Sequence, residues 1–330
     1  MSDKNVLQIG TLMIVVSVLL RLTLSLWTPA LQASASLDFG QVFLFLQTGK
    51  VLYAPTATVP TAAVPTASAP TAAAPETTQP PPEVNHKAVF SESDQALVEL
   101  RNTSGKTPNV SAALLQTLQW DLYSQQPTVL ILHSHGSESY TNTEAYTETT
   151  RYRTLETDYN MISIGDLLAQ ELEKAGIRVI HDRTMYDVPS YNDAYVQARS
   201  AIADHLKKNP SICLVLDLHR DAATDSSGNQ ISYSVSTPEG TAAQLMLVLG
   251  TNHDHWQENL SLATKLQVQL EKQVPGLCRP INVRSQRFNQ DLCPGAVLVE
   301  VGAAGNSRQE ALLAAKYLAK AVISLAAGTS

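Results

Sequence analysis

Basic residues are the minority here: 23 lysines and arginines stand against 30 aspartates and glutamates, a net charge of −7. That excludes the basic face on which a nucleic-acid binder depends. Cysteine is scarce, with only Cys213, Cys278 and Cys293, and their spacing fits no zinc finger or paired redox motif. Cys213 lies in the apolar run ICLVLDLH (212–219) and reads as a small core residue. Whether Cys278 and Cys293 pair in an oxidising compartment stays open. Aromatic residues are only 6% of 330, and a tract that cannot build a core accounts for part of that deficit. Hydrophobic runs that read as a membrane anchor are also lacking, with one exception near the start.

That exception is VLQIGTLMIVVSVLLRLTLSLW, Val6–Trp27. As a helix its 22 residues span roughly 33 Å at about 1.5 Å per residue, enough for a hydrocarbon core of about 30 Å. Arg21 is near enough to one end to snorkel, and Trp27 with Pro29 marks an interfacial end. A cleavable signal ending at Ala33-Ser34-Ala35 is the rival reading, but Arg21 would interrupt its apolar centre, so an uncleaved anchor is favoured. Residues 54–84 repeat a Pro-Thr-Ala unit and offer nothing large to bury, which reads as an extended spacer. The chain therefore divides into an anchor (1–30), a linker holding the spacer (31–89) and a globular domain (90–330) tethered to a membrane.

In the globular part, PTVLILH (127–133), IRVIH (177–181), ICLVLDLH (212–219), AQLMLVLG (243–250) and AVLVEVG (296–302) predict strands. Between them, 157–176, 191–208, 256–273 and 308–327 carry helical periodicity. Strands alternating with helices predict an α/β domain with a mostly parallel central sheet covered on both faces.

Three of these strands carry polar groups that a buried sheet does not need. The first runs into His133-Ser134-His135 with Glu138 beyond, the third into Asp217-Leu218-His219-Arg220-Asp221, and the last holds Glu300 between Val299 and Val301. Ligands in open α/β sheets sit outside the carboxyl ends of strands, so these groups are expected to converge. A catalytic zinc takes three protein ligands, commonly two histidines and a carboxylate, and leaves a position for water. His135, Glu138 and His219 fit the ligand roles, and Glu300 that of general base. A lone histidine at a strand end is more often a hydrogen-bonded structural residue, so the expectation rests on the set. Arg220 and Asp221 either orient His219 and hold substrate carboxylates or form a structural ion pair. His253 and His255, in GTNHDHWQENL, read as capping or groove-lining residues, and Glu144 and Glu148 as a solvated loop face.

The stretches LILHSHGSESY (130–140), DLHRDA (217–222) and FNQDLCPGAVLVEVGAAGN (288–306) resemble the signatures of the stage II sporulation protein P family. These are zinc-dependent peptidoglycan hydrolases related to the N-acetylmuramoyl-L-alanine amidases. The resemblance covers about residues 90–327, and an anchor followed by a spacer suits it. It implies cleavage of the amide between muramic acid and the stem peptide, with endopeptidase activity on cross-links besides. It also implies action outside the membrane during engulfment, beside a stage II sporulation protein D-like lytic transglycosylase and a stage II sporulation protein M-like membrane scaffold. By the same analogy His135 and His219 hold zinc and Glu300 is the catalytic carboxylate. The related amidases carry a ligand farther along, where this chain has Glu156 and Asp158; Glu138 is preferred because it belongs to the sharper motif, and His133 is then structural. Two other functions fit the same residues less fully: a zinc carboxypeptidase or deacetylase of the wall, or a non-catalytic wall-binding module.

Overall fold

Short runs of leucine and β-branched residues, too brief for a stable helix and apolar on both sides, are what a sheet covered on both faces selects. In the computed structural model, which describes residues 90–118, 120–141 and 152–328, runs of this kind supply the central strands among nine: β1 Leu100–Asn102, β2 Val129–Leu132, β3 Val179–His181, β4 Leu214–Asp221, β5 Ser234–Thr237, β6 Gly240–Ala243, β7 Leu245–Gly250, β8 Ile281–Arg284 and β9 Ala296–Ala303. Five α-helices accompany them: α1 Val110–Leu115, α2 Met161–Lys174, α3 Ala194–Lys208, α4 Trp256–Gln273 and α5 Arg308–Gly328. The expected membrane segment, the spacer, and Glu144 and Glu148 lie outside the described residues.

Seven strands make one sheet in the order β1-β8-β7-β9-β4-β2-β3, and β5 and β6 form a separate hairpin. All neighbours in the large sheet are parallel except β7 and β9. The expected mostly parallel sheet is there, as two parallel blocks that run in opposite directions and meet at the β7–β9 seam. The consequence is geometric: β2, β4 and β9 all present their carboxyl ends at one edge, while β7 and β8 end at the other.

Side chains alternate across a strand with period two, and this sorts the residues of the sheet. Leu214, Leu216 and Leu218 of β4, with Val297, Val299 and Val301 of β9, join the main core beneath α1, α2, α4 and α5. The alternate positions Val215 and Ala296, with Leu130 and Leu132 of β2, pack against Ala198 and Ile202 of α3. Met246, Val248 and Leu298 continue that second face under Tyr195 and Phe288. By the same alternation Asp217, His219 and Glu300 belong to the second face, the one with a single helix over it.

Local signals set the helix ends. The Asn160 side chain accepts from the Ile162 amide at the start of α2, an N-cap that satisfies an otherwise orphaned donor. The helix is followed by Gly176 at φ 86°, where a side chain would be strained. Buried Lys265 of α4 donates to the carbonyls of Ala113 and Gln116 and to the Ser261 hydroxyl, tying α1 to the core. Helix α5 is long and apolar enough to cross a membrane by length and composition; here Ala311, Ala315, Leu318, Val322 and Leu325 are buried in the main core. The three cysteines are free thiols, so Cys278 and Cys293 are not joined.

Candidate active site

Adjacent parallel strands bring residues distant in sequence side by side. His219 of β4 is the register partner of Glu300 of β9, and the pairing shifts immediately afterwards, between His219 and Asp221. Such an irregularity re-aims side chains at the end of a ladder. Beyond β2 the chain turns through 133–140, which is buried throughout, and returns Glu138 to the end of β4. Glu138 Oε2 stands 3.7 Å from His219 Nδ1, and Asp217 Oδ1 2.9 Å from His219 Nε2. The His135 ring lies 5.3 Å from that of His219, edge to face. His135, Glu138, His219 and Glu300 are thus brought together by the carboxyl ends of β2, β4 and β9.

The electrostatics follow from burial and charge. His135, Glu138 and His219 are 6%, 4% and 3% exposed. Burial opposes charge on His219, but Asp217 and Glu138 outweigh it and hold its pKa well above the ordinary value. Burial likewise works against the Glu138 carboxylate, and Arg220 with His219 overcomes this, holding its pKa at about 2. At Glu300 burial wins: it outweighs the charges of His219 and Arg220, and with Glu138 and Asp221 nearby pushes the pKa up to about 8.

Arg220 matches the ion-pair alternative. It is 4% exposed and donates to the Ser139 carbonyl, the Tyr152 carbonyl and Glu138, so its donors are spent holding the Glu138 segment against β4. Asp221 pairs with Arg279 at 2.9 Å, whose guanidinium lies over the Tyr233 ring. Both are structural ion pairs in this arrangement. Glu138 is buried at the cluster, whereas Glu156 and Asp158 are exposed, which favours Glu138 as the third donor. His253 and His255 precede α4 at the amino-terminal side of β9, away from the cluster; His255 makes no side-chain cap, and both line a separate polar cleft with Arg287 and Asp291.

His133 has a different task. The Leu218 carbonyl can only accept, so His133 Nδ1 donates to it (3.2 Å) and His133 Nε2 takes a hydrogen bond from His181 Nε2 at 2.8 Å. His181 Nδ1 in turn faces Asp166 at 3.0 Å. Gly165 in mid-helix makes room for this pair, since a Cβ there would sit within 2.6 Å of His133 Nε2 and closer still to His181 Nε2. Gly165→Ala is expected to lower unfolding stability by about 1–3 kcal/mol, as overpacking of a filled interior does, despite the better helix propensity of alanine. Urea denaturation checks this; parental stability would show that the histidine pair yields freely.

Asp217, Tyr191 and Tyr195 are functional neighbours that sequence reasoning passed over. Asp217 accepts from the Ser134 amide (2.8 Å) and hydroxyl (2.6 Å) and so fixes the carboxylate that orients His219. Tyr191 stacks on His135 at 4.0 Å, and the Arg153 guanidinium lies 4.0 Å from its ring centroid. Tyr195 stands edge-on to His135 and parallel to His219.

Among the described residues no three acidic, histidine or cysteine side chains are drawn into a closed metal cage. The chemistry of the cluster nevertheless suits a metal ion. His135 Nδ1 and Glu300 Oε2 are shielded from solvent and make no hydrogen bond, and buried polar atoms are rarely left so; His219 Nε2 is taken by Asp217 at 2.9 Å, which leaves its Nδ1 toward Glu138. Two imidazoles with a carboxylate held ionised are zinc donors, and Asp217 supplies the carboxylate that orients a ligating histidine.

The profile of the stage II sporulation protein P family matches residues 56–323. A curated stage II sporulation protein P from Bacillus subtilis (strain 168) is 26% identical over 254 residues, covering 73% of this chain and 59% of that protein. The chain therefore spans well under two thirds of that relative. Among solved structures, N-acetylmuramoyl-L-alanine amidase AmiC2 of Nostoc punctiforme aligns at 17% identity over 60% of this chain and 96% of its own, with a TM-score of 0.37. The CwlD amidase from Clostridioides difficile, solved in complex with the GerS lipoprotein, aligns at 16% identity over 61% and 95%, with a TM-score of 0.38.

Proposed function

The chain belongs to the stage II sporulation protein P family, and from that membership and its donor cluster we propose that it is a zinc-dependent peptidoglycan hydrolase of sporulation that cleaves the amide between N-acetylmuramic acid and L-alanine. The observation that carries this reading is the convergence of His135, Glu138, His219 and Glu300 at one sheet edge, with His135 Nδ1 and Glu300 Oε2 solvent-shielded and unpaired. A wall-binding module has no use for a buried carboxyl beside two imidazoles.

His135, Glu138 and His219 would hold the ion. When bound, zinc supplies the positive charge that acidifies water, polarises a carbonyl and favours the carboxylate form of Glu300. The rest falls to the chain itself. Glu300 takes a proton from the attacking water and hands it to the departing amide nitrogen, so that the muramoyl carboxylate and the free amine of L-alanine leave. Asp217 keeps the His219 ring turned to the cluster, and Arg220 does the same for Glu138. In this reading Val6–Trp27 holds the domain on the extracytoplasmic side of the membrane, with stage II sporulation protein D- and M-like proteins as partners.

The full chain in detergent micelles, given purified peptidoglycan, is expected to release stem peptides with a new amino-terminal alanine, and to stop after chelation. Products cut only at glycosidic bonds or only at peptide cross-links would refute the muramoyl–alanine assignment.

A further inference from the structure

One hydroxyl at the cluster has no structural use. Tyr195 is the second residue of α3, and its ring fits between three others: His135 at 5.3 Å edge-on, His219 at 6.1 Å nearly parallel, and Phe288 at 6.1 Å. The ring is half-buried. Among the hydrogen bonds of the described residues, Tyr195 appears only through its backbone carbonyl, which accepts from Asn289 Nδ2 at 2.9 Å. The ring thus lies against both imidazoles of the cluster.

The backbone around it holds the ring in place. Phe288 and Asn289 are consecutive non-glycine residues at φ 51° and 57°. That turn brings Phe288 against the Tyr195 ring and Asn289 onto its carbonyl. With its ring against both imidazoles and its hydroxyl unused within the protein, Tyr195 is available to a ligand at the cluster.

We propose that Tyr195 is a catalytic residue, donating its O–H to the carbonyl oxygen of the scissile amide as that carbon becomes tetrahedral. The inference rests on the amide-hydrolysis reading above. Water oxygen forms a bond to the carbonyl carbon, and the C=O π pair moves onto the carbonyl oxygen, where the Tyr195 hydrogen bond stabilises it without proton transfer. The proton lost by the water goes to Glu300 and then to nitrogen; the C–N pair leaves with the amine and the C=O bond re-forms. A preorganised donor of this kind is worth roughly 10²–10³ in kcat.

Tyr195→Phe keeps the ring contacts and removes only the hydroxyl. With the full chain in detergent and a soluble N-acetylmuramoyl-pentapeptide, kcat is expected to fall by about 10²-fold with KM and zinc content unchanged. Inhibition by a phosphonamidate mimic of the tetrahedral carbon should weaken by a similar factor. A parental kcat, or a raised KM with kcat intact, would overturn the transition-state role while leaving the amidase reading in place. If the parent itself releases no amino-terminal alanine, the amidase reading fails, and this inference with it.

Discussion

Glu300→Gln is expected to keep its fold and its zinc while losing hydrolysis by roughly 10²- to 10⁴-fold, the usual worth of a general acid–base group. The substitution conserves shape, and Glu300 Oε2 accepts no hydrogen bond whose loss could unfold the strand. The neighbouring Val299 and Val301 point into the opposite core and are untouched. Release of alanine amino termini, followed with metal content in the same preparation, separates chemistry from folding. A variant that hydrolyses at the parental rate would make Glu300 structural. No other described carboxylate is so well placed to replace it, since Glu138 is held ionised by Arg220 and His219 and Asp217 is bound by Ser134.

His135→Ala and His219→Ala should each take the dialysed protein from about one bound zinc to nearly none, and abolish wall hydrolysis together with it. Each removes one of the two imidazoles that meet edge to face at the cluster. Glu138→Ala is expected to behave alike, because that carboxylate is buried against His219, whereas Glu156→Ala changes an exposed residue and should keep its metal. His133→Ala is the informative contrast: its ring is bonded to Leu218 and His181, so it should lose stability before it loses zinc. Metal analysis after dialysis decides, and full zinc occupancy in either His135→Ala or His219→Ala would sink the ligand assignment.

Much of this site was readable from short motifs because parallel neighbours do little to scramble them. Residues 133–138 follow the end of β2 and 217–221 form the last part of β4, two strands that pair directly, and Glu300 lies on the strand that pairs with β4 on its other side. Long apolar runs made β4 and β9 plain, and helical periodicity did the same for α2, α4 and α5. What escaped was non-local or weakly patterned. β5 and β6 are short and rich in serine, threonine and glycine, with little burial to shape their sequence. The reversal at β7–β9 is a choice of direction that an apolar run does not encode. Tyr191 and Tyr195 reach the site because α3 begins above it, and nothing in YNDAY announces that. Gly165 inside MISIGDLLAQ was a visible signal, since a glycine in mid-helix implies close approach, but its partners His133 and His181 lie in two different strand ends. The role of Arg220 stayed open between substrate contact and ion pair, because its motif does not tell that the segment 133–140 folds back onto it.

The place of β9 in the sheet also sets the order in which this molecule can become complete. It is the last strand in the chain, yet it lies in the middle, joining the block β3-β2-β4 to the block β7-β8-β1. A nascent chain emerging residue by residue can lay down both blocks and all three zinc donors before residue 296 exists, but the two halves have no common ladder until then. The segment that welds them is the same one that carries Glu300. In the proposed enzyme, the proton acceptor therefore arrives with the closing of the sheet, and an unfinished chain could take up metal while remaining harmless to the wall around it.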